Sequence, residues 1–279
     1  MRFKLRHYSE VERFVPQMDL TLPTLLDFQN IRVMRGDKVV LDDFTLRISP
    51  NEHVAILGPN GCGKSTLVKT IARECYPVAR ENSRMSLFGQ EEWNVFELRS
   101  LLGIVSNDLM AFCTSEAVGR DVVLSGFFSS SNIFFNHAVS AEQRALADAT
   151  LARLHVSHLA ETPVAHMSSG EAKRILIARA LAHKPRALVF DEPCNSLDIS
   201  AQRSLRQTMS SLANSGIGII LVTHDLSDIV PEIERVVLMH NGRILADGRK
   251  EEMLQPEKLT ELFGVTVDLV RRDGYYHWS

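Results

Sequence analysis

Apolar and polar residues alternate along this chain in two rhythms, and the places where one gives way to the other define its elements. From Leu26 the rhythm is close to two. Phe28, Ile31 and Val33 stand between polar neighbours, Gly36 and Asp37 supply a turn, and residues 39–41 and 44–48 resume the alternation. That period, with a glycine turn inside it, predicts an antiparallel hairpin layer. Residues 53–57, His-Val-Ala-Ile-Leu, are instead a continuous apolar run stopped by glycine. Such a run predicts a central strand covered on both faces. Residues 187–190 and 217–222 are two further apolar strands that alternate with helical segments. Their order implies parallel strands joined by crossover helices.

Three segments read as helices. Residues 65–74 place Leu67, Val68 and Ile71 on one face. Ser140-Ala141-Glu142-Gln143 fits a capping box ahead of Ala147, Leu151 and Leu154 at helical spacing. Ser168 and Glu171 fit a second box, before a helix over residues 172–182 that Pro185 ends. Residues 1–24 carry Pro16, Pro23 and mixed charge without a period, and read as an extension.

Composition narrows the class. With 279 residues, 45% apolar and 23% charged, the chain has the balance of a globular protein with one sizeable core or two modest ones. Lys plus Arg is 31 against 34 for Asp plus Glu, so bulk charge gives no footprint for nucleic acid. The longest apolar runs fall well short of the roughly 18 to 20 residues that cross a bilayer. The basic start, residues 1–7, is followed by Glu10 and Glu12 rather than an apolar stretch, which argues against a secretion signal and for the cytoplasm. Cys62, Cys75, Cys113 and Cys194 form no C-x-x-C pair, so neither a disulfide nor a metal cage is expected. No internal repeat is visible, and each motif below occurs once.

Gly58-Pro59-Asn60-Gly61-Cys62-Gly63-Lys64-Ser65-Thr66 fits G-x-x-x-x-G-K-[ST] between a buried strand and a helix. Glycines let successive backbone N–H groups turn toward one centre, where the positive helix end helps enclose phosphate oxygens. Lys64 is then placed for the β and γ phosphates of a nucleotide and Ser65 for Mg²⁺. A lysine at a helix N-terminus is disfavoured by the macrodipole unless an anion sits there. Asp191 and Glu192 end the run of residues 187–190, where unpaired ionised carboxylates are costly, so they need a cation or a proton. Asp191 suits Mg²⁺, and Glu192 suits orienting and deprotonating an attacking water. Ser168-Ser169-Gly170 reads either as a plain capped helix start or as a second anion site.

The order GPNGCGKST, MSSGE, LVFDEP, NSLD and a histidine after IILVTHD resembles the nucleotide-binding domain of ABC ATPases, over roughly residues 26–250. The resemblance implies a P-loop NTPase fold: a mostly parallel α/β sheet core, an antiparallel β layer and a helical subdomain inserted at residues 108–166. It assigns residues 25–250 to the ATPase domain and residues 251–279 to a C-terminal extension. It makes residues 167–171 the family signature, usually Leu-Ser-Gly-Gly-Gln. Ser168 and Gly170 would bind nucleotide there, residues 196–198 would be the D-loop, whose Asp198 would also bind nucleotide, and His224 would contact the γ-phosphate. The cofactors it implies are ATP and Mg²⁺. Two domains of the family face head to tail, each ATP lying between the phosphate loop of one and the signature of the other. A single copy per chain therefore implies a homodimer.

Three departures from the family pattern bear on function. Arg35 stands where an adenine-stacking aromatic is usual, and a guanidinium also stacks on a purine. Asn107 stands near the place of the glutamine that touches Mg²⁺ and couples to the membrane partner, one methylene shorter. Ser169 replaces a glycine of the signature. The tail resembles importer ATPases of the iron-chelate and cobalamin kind, and residues 104–106 and 122–126 resemble a molybdate-type branch. The role implied is the ATPase subunit of a transporter, peripheral at the inner membrane face, with separate transmembrane subunits. A soluble ABC protein of repair or regulation, and a nucleotide switch that barely hydrolyses, are the alternatives. Phe127, Phe128, Phe134 and Phe135 read either as core or as a docking groove. Cys62 reads as redox-sensitive or as an occupant of a variable position.

Overall fold

The computed structural model describes residues 24–108, 116–130, 133–134 and 137–279. The expectation for residues 1–24 lies almost wholly outside them, as do Phe135 and parts of the 108–166 segment. The chain opens with β1 (Leu26–Arg35) and β2 (Lys38–Ile48), an antiparallel pair as the alternation predicts. Then come β3 (His53–Leu57), helix α1 (Lys64–Ile71), β4 (Arg84–Leu87), α2 (Val95–Leu101) and β5 (Leu102–Val105). β4 was not predicted. It pairs with β1 and completes a three-stranded antiparallel sheet ordered β2-β1-β4.

Helices α3 (Gly119–Ser125), α4 (Ala141–Arg153) and α5 (Ser169–Leu181) follow. After them come β6 (Ala187–Asp191), α6 (Ile199–Asn214), β7 (Gly218–Thr223), β8 (Arg235–His240) and β9 (Arg243–Arg249). The chain closes with α7 (Lys250–Met253), α8 (Pro256–Phe263) and the hairpin of β10 (Leu269–Arg272) and β11 (Tyr275–Trp278). Among the described residues the main sheet has six strands ordered β5-β6-β7-β3-β8-β9, parallel except for the edge strand β9.

The apolar runs form this sheet's middle because both of its faces are covered. Ala55, Leu57, Leu188, Phe190, Ile219 and Leu221 point into one core. Val54, Ile56, Ala187, Val189, Ile220 and Val222 point into the other, shared with α1 and the antiparallel layer. A strand buried on both sides has no reason to alternate in polarity. Val122, Val123, Leu151 and Leu154 of the helical segment belong to the first core, and so do Leu259, Leu262 and Tyr276 near the C-terminus. Both segments are therefore packed onto the sheet rather than hung beside it.

Helix ends follow local chemistry. At α4 both halves of the capping box form: the Gln143 N–H donates to Ser140 Oγ at 3.1 Å, and the Ser140 N–H donates to Gln143 Oε1 at 2.9 Å. The expected helix over residues 65–74 stops sooner, at Ile71. Arg73 turns left-handed with φ 59°, and the Glu74 and Cys75 N–H groups both close on the Lys69 carbonyl.

Gly242, in the turn between β8 and β9, ties the two sheets together. Its N–H donates to the Cys62 carbonyl at 2.8 Å, and its own carbonyl accepts from the Asp42 N–H at 3.1 Å. Its φ is +75°, and a Cβ there would lie 2.1 Å from the Val40 carbonyl oxygen. Gly242→Ala is expected to cost about 3 kcal/mol, combining an unfavourable φ with a backbone clash. Thermal unfolding should show a lowered midpoint, and an unchanged midpoint would remove Gly242 as the tie between the layers.

Candidate active site

The phosphate loop leaves the C-terminal end of β3 and turns directly into α1. The Gly58 N–H donates to the Thr223 carbonyl at 3.3 Å, and a Cβ on Gly58 would lie 2.2 Å from the Met239 carbonyl oxygen. Only glycine fits that approach. Gly61 and Gly63 take φ of +80° and +113°, and nothing lies within 4 Å of where a Gly61 Cβ would point. Asn60 and Gly61 stand exposed at the top of the arch with Pro59 below them. Helix α1 starts with no side-chain cap on its N–H groups and no acid in its first turn. Such a start offers unpaired donors and a positive dipole end to an anion. Ser65 is exposed at this start, and Thr66 is buried behind it.

Lys64 is 4% exposed and folds back over the loop. Its Nζ donates to the Gly58 carbonyl at 2.8 Å and the Pro59 carbonyl at 3.1 Å, and lies 3.4 Å from Glu192 Oε1. Cys62 is buried among these groups, and burial pushes its thiol up despite the neighbouring Lys64. That outcome disfavours the redox reading of Cys62, because a thiol held protonated is a poor nucleophile.

Asp191 ends β6, and Glu192 follows with φ +46° and its N–H on the Val222 carbonyl at 2.8 Å. The left-handed step turns successive carboxylates different ways. Glu192 Oε1 meets His224 Nδ1 at 3.2 Å as well as Lys64, while Oε2 accepts from Asn195 Nδ2 at 2.5 Å. Lys64, Glu192 and His224, singled out separately in the sequence, thus form one cluster. Asn195 was missed: an asparagine in a strand-to-helix loop carries no signal of its own beyond turn preference.

Asp191 Oδ1 is buried with no hydrogen-bond partner. Burial, then the charges of Glu192 and Asp108, push its carboxyl up to about 6 against the pull of Lys64 and Lys173. An orphaned carboxylate oxygen fits the hard oxygen donors that a divalent cation takes. Asn107, the other predicted metal residue, has its Oδ1 on the ammonium of Lys173 in α5. Arg35 is exposed at the end of β1, opposite Lys38 across the hairpin turn. Among the described residues no hydrogen bond joins it to the phosphate loop.

Ser168 caps α5 and is exposed at its tip. The Ser168 hydroxyl accepts from the Glu171 N–H at 3.3 Å and donates to Glu171 Oε2 at 2.8 Å. Gly170 has a packing reason: a Cβ there would lie 2.8 Å from the Ala201 side chain. Asp198 caps α6 by accepting from the Ala201 N–H at 2.8 Å. Ser168, Gly170 and Asp198 therefore gather around the starts of α5 and α6. Among the described residues no hydrogen bond or ion pair links them to Lys64, Glu192 or His224.

A glycine loop between a parallel strand and a helix, its lysine, and an acid pair ending a nearby strand define a P-loop nucleoside triphosphatase. The family model described as ABC transporter matches residues 41–195. The hemin import ATP-binding protein HmuV of Hahella chejuensis is 30% identical over 248 residues, 84% of this chain and 91% of that protein. The zinc import ATP-binding protein ZnuC of Marinobacter nauticus is 32% identical over 251 residues, 87% of this chain and 84% of that protein. The solved structure of cbiO1 from Clostridium perfringens, part of the ABC transporter complex cbiONQ, superposes with a TM-score of 0.71. It is 27% identical, covering 86% of this chain and 94% of that one. The chain belongs to the ABC transporter family, as one of its ATP-binding, ATP-hydrolysing subunits.

The raised Asp191 carboxyl has a consequence for stability. Its folded pKa, about 6, lies above the ordinary 3.8. The folded state then holds the proton more tightly, so stability falls as pH rises from about 4 to about 6 and the cost is complete above that. Asp191→Asn should therefore raise the unfolding midpoint of the nucleotide-free protein at pH 7.5, by the equivalent of roughly 1–3 kcal/mol, and much less at pH 4.5. Equal shifts at both pH values would show that ionisation of Asp191 is not what costs stability.

Proposed function

We propose that this chain energises an importer of a metal or metal chelate, working as a homodimer on separate transmembrane subunits at the inner membrane face. The carrying observation is that, among the described residues, no hydrogen bond or ion pair joins the phosphate loop to the helix start capped by Ser168. The phosphate loop, Glu192 and His224 form one group, while Ser168 is exposed at the tip of α5 with Gly170 and Asp198. A second copy placed head to tail supplies the missing half of each ATP site. Among the described residues no helix is long and apolar enough to cross a membrane. The hemin and zinc relatives support a metal-containing cargo over an oxyanion.

In this reading the loop N–H groups and Lys64 bind the β and γ phosphates, with Lys64 already held at the mouth by two carbonyls. Ser65 and Asp191 would hold Mg²⁺, which supplies neutralisation of phosphate charge. Glu192 orients the attacking water and takes its proton. Lys64, His224 and Asn195 fix both of its oxygens, so the base costs little reorganisation when the reaction begins. His224 stands beside Glu192, where it would contact the γ-phosphate. Loss of the γ-phosphate removes charge that both protomers bind and lets the dimer open.

Glu192→Gln should keep ATP binding, lower turnover by roughly 10²- to 10⁴-fold and accumulate an ATP-bound dimer visible by light scattering. Lys64→Ala should bind ATP at least about 100-fold more weakly and stay monomeric. Full turnover in the first variant, or unchanged affinity in the second, contradicts these roles. Copurification tests the biological part: a stoichiometric integral membrane partner supports import, whereas a soluble dimer without one supports the repair or regulatory alternative.

A further inference from the structure

Asp228 closes the 3-10 turn Leu226–Asp228, which begins two residues after His224, and it is only 3% exposed. Burial pushes its carboxyl up, so an ionised group here destabilises the fold unless partners answer it. Three side chains reach it. Thr223 Oγ1 donates to Asp228 Oδ2 at 3.0 Å, Arg206 Nη2 lies 3.5 Å from Oδ1, and the Cys194 thiol donates to the same carboxylate.

Two of these partners stand beside the residues that hold Glu192. Thr223 precedes His224, and its hydroxyl accepts from the Asp225 N–H at 3.0 Å. A hydroxyl has one proton, so donating it to Asp228 leaves the lone pairs for Asp225. That hydroxyl closes a small ring around His224, and Asp228 fixes the way it points. On the other side, Cys194 precedes Asn195, whose Nδ2 donates to Glu192 Oε2 at 2.5 Å. Burial, and then the charge of Asp228, push the Cys194 thiol up, so it stays a donor. His224 meets Oε1 of Glu192 and Asn195 meets Oε2. One carboxylate behind them is bonded to the neighbour of each.

The turn that carries Asp228 is held from outside as well. Leu226 and Ile229 are fully buried in the core that Tyr276 joins, and β11 packs on the turn. Lys250 is 4% exposed, and its Nζ donates to the Pro231 carbonyl at 2.8 Å. Arg206 of α6 also donates to Ser227 Oγ at 2.7 Å. A turn packed this way does not drift to absorb a change at Asp228, which is instead passed to Thr223 and Cys194. We propose that Asp228 is a positioning residue of the ATPase, bonded to Thr223 and Cys194 so that His224 and Asn195 stay on the two oxygens of Glu192. The inference rests on the reading of Glu192 as the base that takes the proton of the attacking water.

Single-turnover hydrolysis of Mg²⁺-ATP by the full chain, counted per nucleotide-binding site so that unfolded protein does not enter, tests it. Asp228→Asn keeps the shape and removes the charge; it should slow hydrolysis about tenfold and leave ATP affinity within about twofold. Thr223→Val removes the bridging hydroxyl and should slow hydrolysis about fivefold, whereas Thr223→Ser retains it and should stay within about twofold of the parent. In a His224→Ala background the effect of Asp228→Asn should shrink below about threefold, because the side chain that it positions is gone. A merely structural role would give the same factor in both backgrounds. That result, or unchanged hydrolysis in Asp228→Asn, overturns the proposal. Should Asp228→Asn fail to unfold cooperatively, Thr223→Val takes its place in the same cycle. Glu192→Gln separates the two readings. If it slows hydrolysis, the Asp228 cycle judges this proposal alone; if it does not, the reading of Glu192 as the base fails as well.

Discussion

Parallel pairing sets Leu57 beside Thr223 and Asp191 beside Val222, so the loop after β3, the acids after β6 and the histidine after β7 leave the sheet at one level. That shared level is the constraint on which the site depends. Lys64, Glu192 and His224 come from segments far apart in sequence; Glu192 and His224 are the first residues beyond their strands, and the loop of residues 58–63 brings Lys64 back to them. The short bonds of Gly58 to Thr223 and of Glu192 to Val222 are the same ladder continued past the strand ends. A helix start placed in line with β3 adds its unpaired N–H groups to this edge, where an open parallel sheet conventionally binds its ligand.

The same edge concentrates charge where water is scarce. Lys64 has its carbonyls and a carboxylate, and Glu192 has three partners, so those groups are compensated within the chain. Asp191 is not. Its orphaned oxygen and raised carboxyl mark a charge that the described residues leave uncompensated, at the expense of folding stability. A cation there would answer the charge of Asp191 more completely than the through-space pull of two lysines.

Elements buried on both faces were the most legible in sequence, because a short continuous apolar run between turn residues is stable only inside a sheet covered on both sides. β3, β6 and β7 fall where residues 53–57, 187–190 and 217–222 place them. Both capping boxes form as their residue types require. β4 escaped because Arg84-Met85-Ser86-Leu87 is four residues long and half polar, and it becomes a strand only by pairing with β1. Lys173 escaped for a similar reason: in Glu171-Ala172-Lys173-Arg174 it reads as a solvated helix position, and lysine is seldom buried. Its burial is a property of what β5 brings against α5. Asn107 could be located by its distance from the strand, but which cation its oxygen would face could not, since that depends on a residue far along the chain.

The geometry around Gly170 ties the helix start capped by Ser168 to the surroundings of His224 through packing and a chain of hydrogen bonds. Gly170 abuts Ala201, and Ala201 is the residue whose N–H the Asp198 cap accepts. The starts of α5 and α6 are thereby locked to each other through one methyl group. α6 in turn carries Arg206, whose guanidinium reaches Ser227 Oγ at 2.7 Å and Asp228, and Asp228 accepts from Thr223 Oγ1 at 3.0 Å, next to His224. A displacement of the α5 tip would press on α6, and α6 is bonded to the turn that positions His224. Packing of this density has discrete alternatives rather than gradual ones.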